Sequence, residues 1–156
     1  MKRHQSLYPF SHHHHKALLL AQVLIKNAPP FKYLPNTPDK KKEYLLKEHL
    51  ELLKYHFDAE EKLLFPFVQK ITSEINITIE QVLSEHKLIF DLIQRVKENV
   101  DLENTLDLLG RTLKEHIRLE ERILFEKIQE SLTAAELAQL KEITSSIDSG
   151  ASCKIL

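Results

Sequence analysis

The chain has 156 residues, of which 42% are hydrophobic and 29% are charged, a balance that is ordinary for one globular domain. A net charge of −1 argues against nucleic acid as a partner, because proteins that bind it usually carry a dominant basic surface. No apolar run approaches the roughly 18 residues of a membrane span, and the N-terminus lacks the apolar segment of a signal peptide.

The first two helices can be predicted from capping residues and prolines. Residues 1–10 are interpreted as a leader segment. A serine can cap a first helix over residues 11–28, which the following prolines end. Thr37 can cap a second helix that runs from residue 38 to about residue 65, where Pro66 should break or kink it.

Three further helices are predicted in the second half of the chain. Thr78 and Gln81 have the spacing of a capping box for the third helix. An aspartate can cap the fourth, and Thr133 with Glu136 forms another box for a short fifth helix. The predicted ranges are 78–99, 101–131 and 133–147.

Apolar residues recur at helical spacing in each of the four long helices, and glycine occurs only twice. Four such helices with short connections predict an all-α fold, an up-down-up-down four-helix bundle with a short extra C-terminal helix. We expect residues 1–150 to form a single domain and residues 151–156 to be a disordered tail.

Nine histidines are the unusual feature of the composition. One histidine is predicted to point inward from each long helix: His15, His56, His86 and His116. The face predicted for His15 also carries Leu18, Leu19 and Gln22. A run of histidines such as 12–15 could be solvated, but His15 is preferred as the inward residue, and His12, one turn earlier, is the alternative.

Two of these histidines are followed by a glutamate at the next helical turn. Glu60 lies four residues after His56, and Glu120 lies four residues after His116. Residues with this spacing share one face of a helix, within about 6 Å of each other. A glutamate that points into a bundle core is costly unless it is paired or ligates a metal, so both pairs are candidate metal ligands.

An internal repeat relates the two pairs, because residues 56–65 align with residues 116–125 without a gap. The repeat predicts two helical hairpins of similar design that face one site. Four imidazoles and two carboxylates suit a pair of metal ions, with the glutamates as bridges. Iron is favoured, manganese is the alternative, and zinc is the least favoured native pair, since cysteine-rich zinc patterns are absent.

These segments, taken in order, resemble the hemerythrin-like (HHE) family over roughly residues 8–130. The resemblance is carried by residues 9–21, 56–66, 85–87 and 116–125. It implies two non-haem iron ions, bridged by oxo, hydroxo or water ligands and reactive towards O2, NO or peroxide. The metal ligands that it implies are His15, His56, Glu60, His86, His116 and Glu120.

Two positions depart from the pattern of the oxygen-carrying members. Where they place a further histidine in the third helix, this chain has Phe90, which disfavours reversible O2 carriage and favours a redox, sensing or iron-handling role. Their last carboxylate corresponds to Glu121, but five residues turn a helix by about 140°, so Glu120 is preferred. Glu61 and Glu121 are expected to be solvated or paired with lysine or arginine, and His49 to lie behind the ligands.

The leading hypothesis is a di-iron protein that senses, binds or scavenges O2, NO or peroxide, or that handles iron. One alternative is a di-iron oxidoreductase such as a ferroxidase, a peroxidase or an NO-metabolising enzyme. Another is a helical interaction module with a structural metal. We expect a small-molecule partner, with neither nucleic acid nor membrane, and the single cysteine, Cys153, favours a reducing cytoplasm.

Overall fold

A computed structural model describes residues 1–27 and 33–147, and all regular structure in this part of the chain is helical. A short 3-10 turn, Gln5–Leu7, leads into the first helix. The helices are α1 (Tyr8–Leu24), α2 (residues 38–71), α3 (Asn76–Lys97), α4 (residues 102–131) and α5 (Ala134–Thr144). No helix of the described ranges has the length and apolar character to cross a membrane.

Helices α2 and α4 are continuous but not uniformly α-helical. In α2 the segments Pro38–Tyr44, Leu50–Ala59 and Phe65–Ile71 are α-helical, and the π turns Leu45–His49 and Glu60–Leu64 lie between them. In α4 the π turn Glu120–Leu124 lies between Leu102–Leu119 and Phe125–Ser131. Such wider turns are rare and occur frequently at functional sites.

The four long helices form the predicted bundle, and α5 packs against one end of it beside the 3-10 turn. Helix α4 makes the most extensive contacts, with α1 on one side and α3 on the other. The apolar interior consists of two clusters, one towards each end of the bundle. The prediction of an all-α bundle with a short C-terminal helix is therefore confirmed.

The interpretation of residues 1–10 as a leader segment is wrong. Leu7 and Phe10 are fully buried in the second apolar cluster. Helix α1 begins at Tyr8 with a proline in its first turn, so it needs no cap from Ser11. Arg3 anchors the segment further, because its guanidinium donates to the Glu121 side chain at 2.8 Å.

Pro66 neither breaks α2 nor ends it. It follows the π turn Glu60–Leu64 and lies in the first turn of the resumed α-helix, Phe65–Ile71. The missing N–H of a proline is least costly at such a position. The helix therefore continues to Ile71, where the backbone becomes extended.

Other predicted helix ends have mixed outcomes. Thr37 caps α2 by accepting the N–H of Lys40, and Thr133 forms the expected capping box of α5 with Glu136. Thr78 is no cap, since α3 begins two residues earlier, at Asn76. Asp101 precedes α4 but makes no side-chain capping bond. The first helix ends at Leu24, where the backbone becomes extended at Ile25, so its predicted end near residue 28 is wrong. The predicted tail at 151–156 lies outside the described residues.

Candidate metal centre

A layer of polar side chains separates the two apolar clusters at the middle of the bundle. Each long helix contributes to it where its buried stripe passes from one cluster to the other. All six residues are at most 3% exposed. They are His14 from α1, His56 and Glu60 from α2, His86 from α3, and His116 and Glu120 from α4.

The six side chains form two groups of four that share both glutamates. Within each group, the potential ligand atoms lie within 4.8 Å of one another. The first group contains His14 and His56, and the second contains His86 and His116, each with Glu60 and Glu120. Two ions with two imidazoles each and two common carboxylates would satisfy this arrangement.

Each glutamate directs one oxygen towards each group. The Oε1 atom of Glu60 lies 3.2 Å from His56 Nε2, and its Oε2 atom lies 3.2 Å from His86 Nε2. Glu120 is arranged in the same way, with Oε2 at 2.9 Å from His14 Nε2 and Oε1 at 3.5 Å from His116 Nε2. Two carboxylates that face two groups in this manner have the geometry of bridging ligands.

Burial leaves several of these atoms without a hydrogen bond. Both oxygens of Glu60 and of Glu120 are buried and unpartnered, although nitrogen atoms lie near them. The Nε2 atoms of His86 and His116 are likewise buried without a hydrogen-bond partner. Unsatisfied polar atoms in a core cost free energy, and metal ions would supply the missing partners, so the residues fit a pair of cations.

The charges of the layer are strongly coupled. Burial alone would lower the pKa of His14, but the close carboxylates of Glu120 and Glu121, with the charge of Glu60, outweigh it and raise this pKa to about 10. The same competition raises the pKa of His86 to about 8. Burial opposes ionisation of Glu120, yet the histidines around it hold its pKa well below the ordinary value.

A second layer of groups holds the outer nitrogens of the four histidines. Three of these Nδ1 atoms face carboxylates on a neighbouring helix: His14 faces Glu121 at 2.6 Å, His86 faces Glu61 at 2.9 Å, and His116 faces Glu85 at 2.8 Å. The fourth, on His56, lies 3.1 Å from His13 Nδ1. Partners of this kind place the proton on Nδ1 and leave Nε2 free to bind a metal.

The structure brings together five of the six residues predicted from the sequence: His56, Glu60, His86, His116 and Glu120. It does not bring His15 to them, because that side chain is exposed, as is His12. His14 takes the place expected for His15. The predicted face of α1 is displaced, since Leu18 and Leu19 are 38% and 42% exposed.

Glu61, Glu85 and Glu121 were not predicted to contact the histidines. Glu121 does pair with arginine, as expected, since Arg3 donates to it at 2.8 Å. It also faces His14. Burial would raise the pKa of Glu121, but the contact with His14, together with the charge of Arg3, lowers this pKa to about 2. The signal that could have identified it is the glutamate doublet, which occurs in both copies of the repeat.

Phe90 and His49 lie near the layer without joining it. The Phe90 ring packs on Phe57, which in turn stacks on His86 with 3.9 Å between ring centroids. His49 is largely buried, and burial together with the charge of Lys16 lowers its pKa to about 4. Phe90 therefore contributes apolar surroundings and His49 neutral surroundings, and neither residue supplies a ligand atom to the two groups.

A helical bundle with a buried cluster of histidines and carboxylates defines the class of metal-carboxylate bundle proteins. The chain matches the family model described as hemerythrin HHE cation binding domain over residues 7–128, which is most of its length. The chain therefore belongs to this family of cation-binding domains. No curated protein and no solved structure matches it.

Proposed function

We propose that this protein holds two iron ions between its four long helices and uses them to bind, sense or scavenge O2, NO or peroxide. One observation carries the proposal: the two groups of four ligands share both glutamates, and no hydrogen bond satisfies the buried oxygens of those carboxylates. A single ion would leave half of these atoms unsatisfied. Two ions would give every inward nitrogen and oxygen a bond.

Imidazole and carboxylate ligands suit iron, with manganese as the next choice. Iron in such a site supplies one-electron chemistry and coordination positions for a small ligand. Each group provides four protein donors, and Phe90 leaves the second group without a further histidine. We infer that both metal positions retain room for solvent or a small ligand.

The bundle contributes an apolar enclosure around the centre. Phe57 and Phe65 stack beside His86, and Phe125 stacks beside His14. These rings exclude water from the sides of the imidazoles and hold them in place. The proposal includes a cytoplasmic location, which the single cysteine supports because no intrachain disulfide can form.

Metal analysis of untagged protein that is produced with added iron is the first test. We expect about two irons per chain, together with visible charge-transfer absorption. The double variant His56→Ala, His116→Ala removes one ligand from each group and should abolish this iron content. The matched control is His12→Ala, His15→Ala, which removes two exposed histidines and should leave the iron content unchanged.

The ligand is tested next, on protein that contains two irons. Addition of O2, NO or peroxide should change the visible spectrum, and the double control variant should respond as the wild type does. Peroxide consumption or Fe(II) oxidation well above that of free iron would favour the oxidoreductase alternative. A wild-type chain that binds no iron would refute the proposed function.

A further inference from the structure

The second layer follows the internal repeat with a single exception. The hairpin of α1 and α2 corresponds to the hairpin of α3 and α4, so His14 matches His86 and His56 matches His116. Glu121 of α4 faces His14 of α1 just as Glu61 of α2 faces His86 of α3. This half of the arrangement is conserved between the two hairpins.

The partners of the other two histidines, His56 and His116, differ between the hairpins. His116 Nδ1 faces Glu85, the residue before His86. By the same relation, His56 Nδ1 should face the residue before His14, and it does so at 3.1 Å. That residue is His13, so an imidazole stands where the other hairpin has a carboxylate.

The position of the proton on His56 determines whether His13 donates or accepts the hydrogen bond between them. If His56 binds a metal through Nε2, its proton must lie on Nδ1, which then donates to His13 Nδ1. An imidazole nitrogen that accepts this bond brings no negative charge to His56, whereas the carboxylate of Glu85 brings one to His116. Hydrogen bonds to a neutral acceptor are roughly half as strong as those to a carboxylate.

Carboxylate partners raise the basicity of a ligating histidine, and their loss typically weakens metal binding by about 10-fold to 100-fold. Both histidines of the second group have a carboxylate partner, whereas the first group has only the one on His14. The two groups thus have the same kinds of direct ligands, but the residues that contact the outer nitrogens of their histidines differ.

A small cavity lies on the same side of the centre. Its volume is about 10 Å³, room for about one water molecule. It is lined by His13, Ala17, His49, Leu52, Leu53 and His56. Among the four histidines of the polar layer, only His56 lines this cavity, so the room for a water molecule lies beside the first group.

We propose that His13 makes the two metal positions inequivalent, so that the ion between His14 and His56 is the weaker bound and exchangeable one. His13 is a positioning residue that acts through His56. The proposal rests on the proposed function, because it requires two ions per chain. It goes beyond that function by naming which ion leaves first and which residue decides it.

The test is the release of iron to a chelator. Wild-type protein is loaded anaerobically with Fe(II) to two ions per chain and mixed with an excess of a ferrous chelator. We expect two phases of equal amplitude, one ion each, with rates about 10-fold or more apart. His13→Glu, which supplies the missing carboxylate, should slow the fast phase towards the slow one.

Two further variants keep the outcome interpretable. His13→Gln retains a neutral acceptor and should preserve the fast phase. Glu85→Gln places a neutral acceptor behind His116 and should accelerate only the slow phase, by about 10-fold. Because Glu85 is partly exposed, with 24% of its side chain accessible, this variant tests the proposal even if His13→Glu does not fold.

The outcomes separate this proposal from the proposed function. Release of both ions at one rate from wild-type protein overturns the inequivalence alone, as do release rates that neither His13→Glu nor Glu85→Gln changes. A wild-type chain that never holds two irons overturns the proposed function, and this inference with it.

Discussion

At the scale of single residues, the candidate centre shows how burial and neighbouring charges compete. Burial alone would lower the pKa of His14, but Glu120 and Glu121 raise it to about 10, and Glu60 helps to raise that of His86 to about 8. In the ion-free protein both side chains are therefore imidazolium cations at neutral pH, with a proton on each ring nitrogen. A metal ion must displace these protons before it can bind Nε2.

Metal loading is therefore expected to release protons. Because the folded pKa values of His14 and His86 lie above neutrality, the affinity for metal should rise with pH through about 8 and towards about 10. Calorimetric titration with Co(II) at pH 7, in buffers of different ionisation enthalpy, measures the number of protons released. Heats that do not depend on the buffer would contradict the prediction.

The choice between His14 and His15 could not be made from spacing alone. The three consecutive leucines after Ala17 occupy most of the circumference of a helix, so they indicate no single buried face. Position 14 lies four residues after Phe10 and three before Ala17, and both of these are buried. Phe10 was assigned to a leader segment, and without it the correct face could not be identified.

At the scale of elements, α1 and α4 pack closely against each other at Gly110. A Cβ atom at this position would lie 2.8 Å from the carbonyl oxygen of Ala21 and 2.9 Å from Ile25 Cγ1. The carbonyl belongs to the backbone of α1 and cannot turn away as a side chain could. The close crossing brings together the two helices that carry His14 and Glu121.

Gly110→Ala should therefore destabilise the protein, although alanine favours helices by about 1 kcal/mol over glycine. Forced overpacking typically costs about 1–3 kcal/mol, which exceeds that gain or cancels it. Urea unfolding of iron-loaded protein measures the net effect. Ser84→Ala, at an exposed position of α3, is the control and should change stability little. Stabilisation by Gly110→Ala would show that the helices can separate freely.

The N-terminal segment provides a second test at this scale. Leu7 is fully buried in the cluster that includes α5 residues, whereas Leu19 is 42% exposed on α1. Leu7→Ala should reduce the free energy of unfolding by about 2–5 kcal/mol, the usual range for a buried leucine. Leu19→Ala should cost much less. Equal losses in thermal or urea unfolding would restore the interpretation of residues 1–10 as a leader.

The π turns are the element-level feature that the sequence did not reveal. Two of the three π turns in the described residues, Glu60–Leu64 and Glu120–Leu124, begin at an inward glutamate and end before a buried phenylalanine, Phe65 or Phe125. Apolar spacing is interpreted with 3.6 residues per turn, and a single wider turn changes that spacing too little to be recognised. Their occurrence in both copies of the repeat indicates that they belong to the design of the site.

At the scale of the whole molecule, the bundle and five of the six residues of the polar layer can be predicted from patterns in the sequence. Helical periodicity predicts the four long helices, and the spacing of His56 to Glu60 and of His116 to Glu120 predicts two inward pairs. Contacts between helices do not follow from spacing within one helix. The pairing of His13 with His56 and of Glu85 with His116 required the packed structure.

The two apolar clusters on either side of the polar layer predict how the protein responds to loss of metal. The clusters hold all four long helices together without the ions, and protons on the histidines balance the charges of Glu60 and Glu120. Ions that bind only the folded state add stability, by about 2.7 kcal/mol for each site when free metal is 100 times the Kd. Iron-free protein should therefore stay folded but less stable.

Removal of iron with a chelator, followed by circular dichroism and thermal unfolding, checks this expectation. We expect the helical signal to persist at room temperature and the midpoint of unfolding to fall by several degrees or more. Restoring Fe(II) anaerobically should recover the midpoint in wild-type protein but not in the His56→Ala, His116→Ala variant. If the chelator instead abolishes the helical signal, the ions are structural, and the interaction-module alternative replaces the proposed ligand-binding function.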